Sequence, residues 1–160
     1  MNIKTSFEYI SNQDAEVLIL GSLPGDTSLA INEYYGHPQN RFWKIISTIT
    51  NSKLPKTYSE KIELLLTNKI ALWDVVKTAD RQGSLDTAIK NVYTNPIDKF
   101  IEQHKNLRII GFNGKKAELL FDKHFARIET LNYISLPSTS PANRSISEEI
   151  ILKMWQNLIA

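Results

Sequence analysis

The residues best equipped for chemistry gather in one stretch, GSLPGDTSLAINEYYGHPQNRFW, from Gly21 to Trp43. It follows the apolar run VLIL and ends where a helical pattern begins. Strand, glycine-punctuated loop and helix together form a common cradle for a phosphate or a ring. This loop also carries Tyr34 and Tyr35, His37 and Asn40. A tyrosine ring stacks on a flat ring, or packs in a core with its hydroxyl bonded at a rim. An asparagine side chain holds a water through its oxygen and donates through its NH₂. Asn40 equally suits the cap of a helix N-terminus.

Three further segments carry polar groups at the ends of apolar runs. ALWDVV places an acid, Asp74, at the end of an otherwise apolar strand, where it could pair with Lys or Arg or accept from an N–H. FNGKK places Asn113 before a glycine, followed by Lys115 and Lys116; a turn asparagine and a binding asparagine both fit. LPSTSPANR, Leu136 to Arg144, lines up hydroxyls before a helix start, where anions are favoured.

Several chemistries are excluded or disfavoured. With no cysteine, disulfides, thiolate metal sites and a Cys nucleophile are absent. Gly114-Lys115-Lys116 lacks the spacing and the Ser/Thr of a Walker loop, and no G-x-G-x-x-G follows a strand. No G-x-S-x-G elbow marks a serine hydrolase. His104 and His124 fall on apolar helix faces and read as packed residues, which leaves His37 alone in a candidate loop and makes a poor zinc site.

The elements that must position these groups follow from periodicity. Four runs predict strands, over Glu16–Ser22, Ala71–Val76, Arg108–Phe112 and Tyr133–Pro137; the first three are apolar without strict alternation, as for strands buried on both faces. Helical spacing marks Phe42, Ile45, Ile46 and Ile49; Ile62, Leu65 and Leu66; Ile97, Phe100 and Ile101 after Asn95-Pro96; Ala117, Leu120 and Phe121; and Ile151, Met154, Trp155 and Leu158. Ser145 and Glu148 predict a capping box before the last helix. The polar stretch from Thr78 to Pro96 reads as a long functional loop. Strands alternating with helices predict an α/β fold, a three-layer α/β/α sandwich around a mainly parallel four-stranded sheet, with its site at the carboxyl ends of the strands. The four polar segments above are those ends.

The bounds agree. The 160 residues suit one domain, 1–160, and 42% apolar with 22% charged residues is ordinary globular composition. Net charge is +2 with a pI near 8.7, compatible with nucleic acid without demanding it. The N-terminal segment lacks the apolar core of a signal peptide, and no apolar run approaches the ~18 residues of a membrane span. An intracellular, cytoplasmic chain without a membrane partner is expected. Without a long heptad pattern, a monomer is expected.

Taken together the segments resemble the uracil-DNA glycosylase superfamily over nearly the whole chain. GSLPG matches its first motif, HPQNRFWKII resembles the helix start of the mismatch-specific members, and LPSTSPANR resembles the second motif. Tyr34-Tyr35, HPQNRFW, LPSTSPA and the Trp73-Asp74-Val75 … Arg81 … Gly83-Ser84-Leu85-Asp86 stretch are most similar to the hypoxanthine-DNA (deoxyinosine) glycosylase family. The resemblance implies a monofunctional enzyme of base excision repair. Such an enzyme flips a deaminated base out of double-stranded DNA and hydrolyses its N-glycosidic bond with water, using no metal or cofactor. It aligns Tyr35 with the aromatic residue that stacks on the base, and Asn113 with the reader of its edge. It also makes Asn40 the catalytic residue and gives Ser138, Thr139, Ser140, Pro141, Arg144 and Lys115 to the DNA strand. Asp74 would accept from N1–H of hypoxanthine. Leu23 departs from the pattern: many relatives carry Asn or Asp there, and leucine cannot orient water. That departure keeps open a binding module of the same fold; within the class, a mismatch-specific uracil enzyme is the alternative.

Overall fold

The computed structural model describes residues 2–159. At its centre is a parallel sheet of four strands, β2 (Val17–Gly21), β3 (Ile70–Asp74), β6 (Ile109–Asn113) and β7 (Asn132–Leu136), in the order β3-β2-β6-β7. Each of the four strands expected from the sequence is present within one or two residues. β2, β3 and β6 are buried along their whole length, which explains why their sequences do not alternate.

Helices cover both faces. Leu18 and Leu20 of β2, with Ala71 and Trp73 of β3, face α4 (Ile97–Gln103) and α5 (Lys115–His124) through Phe100, Leu120 and Phe121. Val17 and Ile19, with Ile70 and Leu72, face α2 (Phe42–Ile49), α3 (Tyr58–Thr67) and α6 (Glu148–Trp155) through Phe42, Leu65 and Trp155. Two apolar layers on one sheet make the α/β/α sandwich. At Gly111 a Cβ would stand 2.7 Å from a methyl of Leu158, so the C-terminal turn lies directly on the sheet backbone. Among the described residues no helix is long and apolar enough to cross a membrane.

Two expectations need correction. The Thr78–Pro96 stretch is not one loop. It holds most of β4 (Val76–Asp80), a 3₁₀ turn at Asp86–Ala88 and β5 (Lys90–Thr94); with β1 (Ile3–Thr5) these strands form a second, antiparallel sheet. Register shifts at Val76/Thr78 and Thr78/Asp80 break the alternation that would have marked the strands. Nor do Ser145 and Glu148 form a capping box. Ser147 is the N-cap of α6, its hydroxyl accepting from Ile150 N–H at 3.3 Å, and Glu148 is the first helical residue. A full capping box stands instead at α3, between Thr57 and Glu60.

Of the two histidines expected to be packed on apolar helix faces, His104 is so, whereas His124 is exposed at the end of α5. His104 is buried, stacked on Phe100 at 3.7 Å and bonded to Phe100 O and Ser11 Oγ. The His124 ring is held by Leu120 O at 2.9 Å.

Candidate active site

A cavity of about 380 Å³ opens at the carboxyl ends of the parallel strands. Gly21 ends β2, Asp74 ends β3, Asn113 ends β6, and Ser138 and Thr139 follow β7; all of them line it. The strand ends therefore supply the floor, as an open α/β sheet requires. The walls come from the loops 22–28, 35–40, 84–87 and 138–143.

The floor holds two buried polar atoms without a partner, the Tyr35 hydroxyl oxygen and Asp74 Oδ2. Gly21 lets them in. A Cβ there would lie 2.5 Å from Asp74 Oδ1 and 2.8 Å from the Tyr35 hydroxyl. Burial pushes the Asp74 carboxyl up to about 7; nearby Asp86 adds to the shift and Arg81 opposes it. Burial, and then the charge of Asp74, pushes the Tyr35 hydroxyl up as well, while the neighbouring Asn113 side chain opposes that shift. Tyr35 is thus a donor that keeps its proton. Its backbone is left-handed, with φ at +52°, a costly conformation for a tyrosine and one that clusters at functional sites. Its ring stacks on Phe42 at 4.2 Å, so α2 braces one face.

Asn113 completes the floor in a fixed orientation. Its Oδ1 accepts from Thr139 N–H at 3.0 Å and its Nδ2 donates to Thr139 Oγ1 at 3.1 Å. Accepting a backbone N–H rules out a flipped amide. One N–H of Nδ2 remains to offer. Thr139 is fully buried, so it serves Asn113 and is not presented to a strand.

Asn40 lines the cavity from the entrance of α2. Its Oδ1 accepts from Phe42 N–H at 2.9 Å in a turn just ahead of α2, whose N-cap is Arg41 and not Asn40; the bond leaves Asn40 a second lone pair and the NH₂. Leu23 is buried and also lines the cavity. Tyr34 is a packing residue: its hydroxyl donates to Glu8 O at 2.9 Å. Ser138, Ser140 and Pro141 stand on the cavity wall. Arg144 and Lys115 are not part of it. The Arg144 guanidinium bonds Pro141 O and Gln39 Oε1, and Lys115 stands exposed at the start of α5.

The sequence reading singled out no structural role for Arg81. It is buried, and its guanidinium donates to the carbonyls of Gly83, Leu23 and Pro24, tying the GSLPG loop to the 81–87 segment. Asp86 enters the wall from that segment and accepts from the Ser22 hydroxyl at 2.6 Å. A motif of arginine, glycine and acid after an apolar strand was the available signal.

This fold, with its cavity at the strand ends, places the chain among the α/β proteins whose sites lie at the carboxyl ends of a parallel sheet. The model of the uracil DNA glycosylase superfamily matches residues 7–159, and the chain belongs to that superfamily. Two relatives from Methanosarcina are named hypoxanthine DNA glycosylase. The one from M. barkeri is 42% identical over 115 residues, 71% of this chain and 73% of its own. The one from M. acetivorans is 37% identical over 149 residues, 91% of this chain and 92% of its own. A solution structure from M. acetivorans, described as a candidate uracil DNA glycosylase, superposes with a TM-score of 0.83 at 35% identity and covers 98% of this chain and 96% of its own.

Proposed function

We propose that the chain is a monofunctional DNA glycosylase that removes hypoxanthine from DNA and leaves an abasic site. The observation that carries this reading is the pairing on the cavity floor of a fixed donor, Asn113 N–H, with an unpartnered acceptor, Asp74 Oδ2. A deaminated base presents a carbonyl beside a ring N–H, as O6 and N1–H in hypoxanthine or O4 and N3–H in uracil. Donor and acceptor match that edge in order. Adenine and cytosine present the reverse order, an amino donor beside a bare ring nitrogen, and would meet each floor group with its like. The floor therefore rejects adenine and cytosine, the bases whose deamination gives hypoxanthine and uracil. The names of the relatives favour the purine.

The base reaches the floor only when flipped from the duplex, at a cost of a few kcal/mol. Tyr35, braced by Phe42, offers a ring for it to stack on. Cleavage of the C1′–N bond leaves positive charge on the sugar and negative charge on the base. The Asn113 donor stabilises the second, and Asn40 holds the attacking water by its remaining lone pair or donates to the leaving base. Water adds to C1′, so no covalent enzyme intermediate forms. Every group comes from one chain, so a monomer suffices.

The test is single-turnover excision from matched duplexes carrying hypoxanthine or uracil. Hypoxanthine should be excised faster, strand cleavage should require added alkali, and borohydride should trap no protein–DNA adduct. A clear uracil preference would assign the chain to the mismatch uracil branch. Binding without any abasic product would make it a binding module.

The 138–144 loop meets the strand through hydroxyls and backbone N–H groups, and such contacts carry no sequence information. Ser138→Ala with Ser140→Ala should weaken binding to all duplexes alike, and binding should fall as salt rises. A loss confined to one base would contradict that role.

A further inference from the structure

Three carboxylates line the cavity, Asp26, Asp74 and Asp86, and among its described lining residues there is no lysine or arginine. DNA is a polyanion, so an acidic cavity works against binding it. Such a charge is useful if something cationic forms there. Two of the three acids have other work. Asp26 pairs with Lys4 at 2.6 Å. Asp74 is buried in the floor, and its unpartnered Oδ2 is left for the base. Asp86 stands on the wall, half-buried, with Oδ1 held by the Ser22 hydroxyl at 2.6 Å. Among the described residues no group bonds its Oδ2. Its backbone is fixed as well: Ile89 N–H donates to Asp86 O at 3.2 Å, and the nearby Ser84 hydroxyl accepts from Asp26 N–H at 2.8 Å. Arg81 lies within reach of its charge but spends its donors on the carbonyls of Gly83, Leu23 and Pro24. The fold thus holds this carboxylate at the cavity without bonding it to a cation.

Departure of the base breaks the C1′–N bond. The electron pair leaves with the base, and C1′ and O4′ share the positive charge that remains. Sugar cations of this kind are stabilised by carboxylates, and a cavity filled by the base screens the attraction less than water does. Leu23, buried on the facing loop, offers nothing to a cation. We propose that Asp86 is a catalytic residue: its carboxylate faces the deoxyribose and stabilises the positive charge on C1′ and O4′ as the base departs. Water then bonds C1′ and loses a proton to solvent, and the departed base takes one up. Asp86 itself forms no bond to the sugar. The inference rests on the glycosylase reading and adds a group for which that reading has no use.

Asp86→Asn keeps the shape and an acceptor for the Ser22 hydroxyl and removes the charge. At pH 8, above the Asp74 midpoint of about 7, single-turnover excision of hypoxanthine from a duplex should fall by roughly 10²-fold or more. A bracing role could give the same loss, so the binding of two uncleavable duplexes decides. One carries a neutral tetrahydrofuran sugar at the damaged position, the other a pyrrolidine sugar whose ring nitrogen is protonated. Their phosphates are identical, so the ratio of the two affinities reads the charge at the sugar alone. Wild type should bind the pyrrolidine duplex more tightly, and Asp86→Asn should lose roughly 10-fold or more of that preference, a modest share of what a close charge pair supplies. Asp86→Ser, uncharged as well, should lose it too. A wild type that does not prefer the pyrrolidine, variants that keep the preference, or an Asp86→Asn that excises as wild type does each overturn the proposal. A wild type that yields no abasic product from hypoxanthine DNA overturns the glycosylase reading, and this inference with it. Equal melting temperatures show that the change is not one of folding.

Discussion

Asn40→Ala should lower single-turnover excision of hypoxanthine by at least ~10²-fold, the scale of losing one preorganised polar group at a reacting centre. Stability should fall much less, by roughly 0.5–1.5 kcal/mol, the range for one lost hydrogen bond. Both effects are expected because Asn40 serves two masters. Its Oδ1 already accepts from Phe42 N–H, which fixes the side chain at the start of α2. What remains, one lone pair and the NH₂, faces the cavity. That bond, made one residue ahead of the N-cap, is thus the means of aiming the amide. Asn40→Asp separates the two effects. It keeps the acceptor for Phe42 N–H and loses the NH₂, so melting should stay near wild type. If the NH₂ donates to the leaving base, the rate still falls. If the Asp variant cleaves as wild type does, the oxygen alone acts, on water. If Asn40→Ala retains full activity and only melts lower, Asn40 braces the entry of α2 and does nothing more.

The sheet and its helices were legible because burial on both faces leaves a plain mark. VLIL, ALWDVV and RIIGF could hardly be surface segments, and the residue after each had to lie at a strand end. The small antiparallel sheet was not legible, since its short strands are half exposed and bulged. Candidate residues were found where a polar group ended an apolar run, as with Asp74 and Asn113. What each one does depends on what its neighbours have already claimed. Thr139, expected on DNA, holds the Asn113 amide. Tyr35, expected to offer its ring, also ends in an unpartnered hydroxyl beside Gly21. Ser22, Asp86 and Arg81 join segments some sixty residues apart in sequence, and no periodicity within either segment encodes such a bond.

Asp74 should make both activity and stability depend on pH, in opposite directions. Its carboxyl titrates at about 7 in the folded chain, against an ordinary value of 3.8, because it is buried and faces Asp86, with Arg81 only partly offsetting both. The folded chain therefore holds this proton more tightly than the unfolded one. Below about pH 4 Asp74 is neutral in both states and costs nothing. Between about 4 and 7 the unfolded chain sheds the proton while the folded one retains it, so stability falls, by an amount on the order of 4 kcal/mol once both are ionised. Catalysis needs that ionised form, since only an acceptor can take N1–H. Excision of hypoxanthine should rise with pH through about 7. Asp74→Asn should flatten this limb and, at pH 8, slow excision by roughly 10- to 100-fold, the effect of replacing an acceptor by a group that can present a donor to N1–H. The same variant should melt higher than wild type at pH 8, and the gap should close as pH falls towards 4. His37 also lines the cavity, so His37→Gln is the control and should leave the midpoint in place. A variant that loses both activity and stability at pH 8 would mean that Asp74 is satisfied in the fold and has no base to read. One that gains stability while losing activity would locate the strain of this site on a single carboxylate, held without a partner because the substrate is to be its partner.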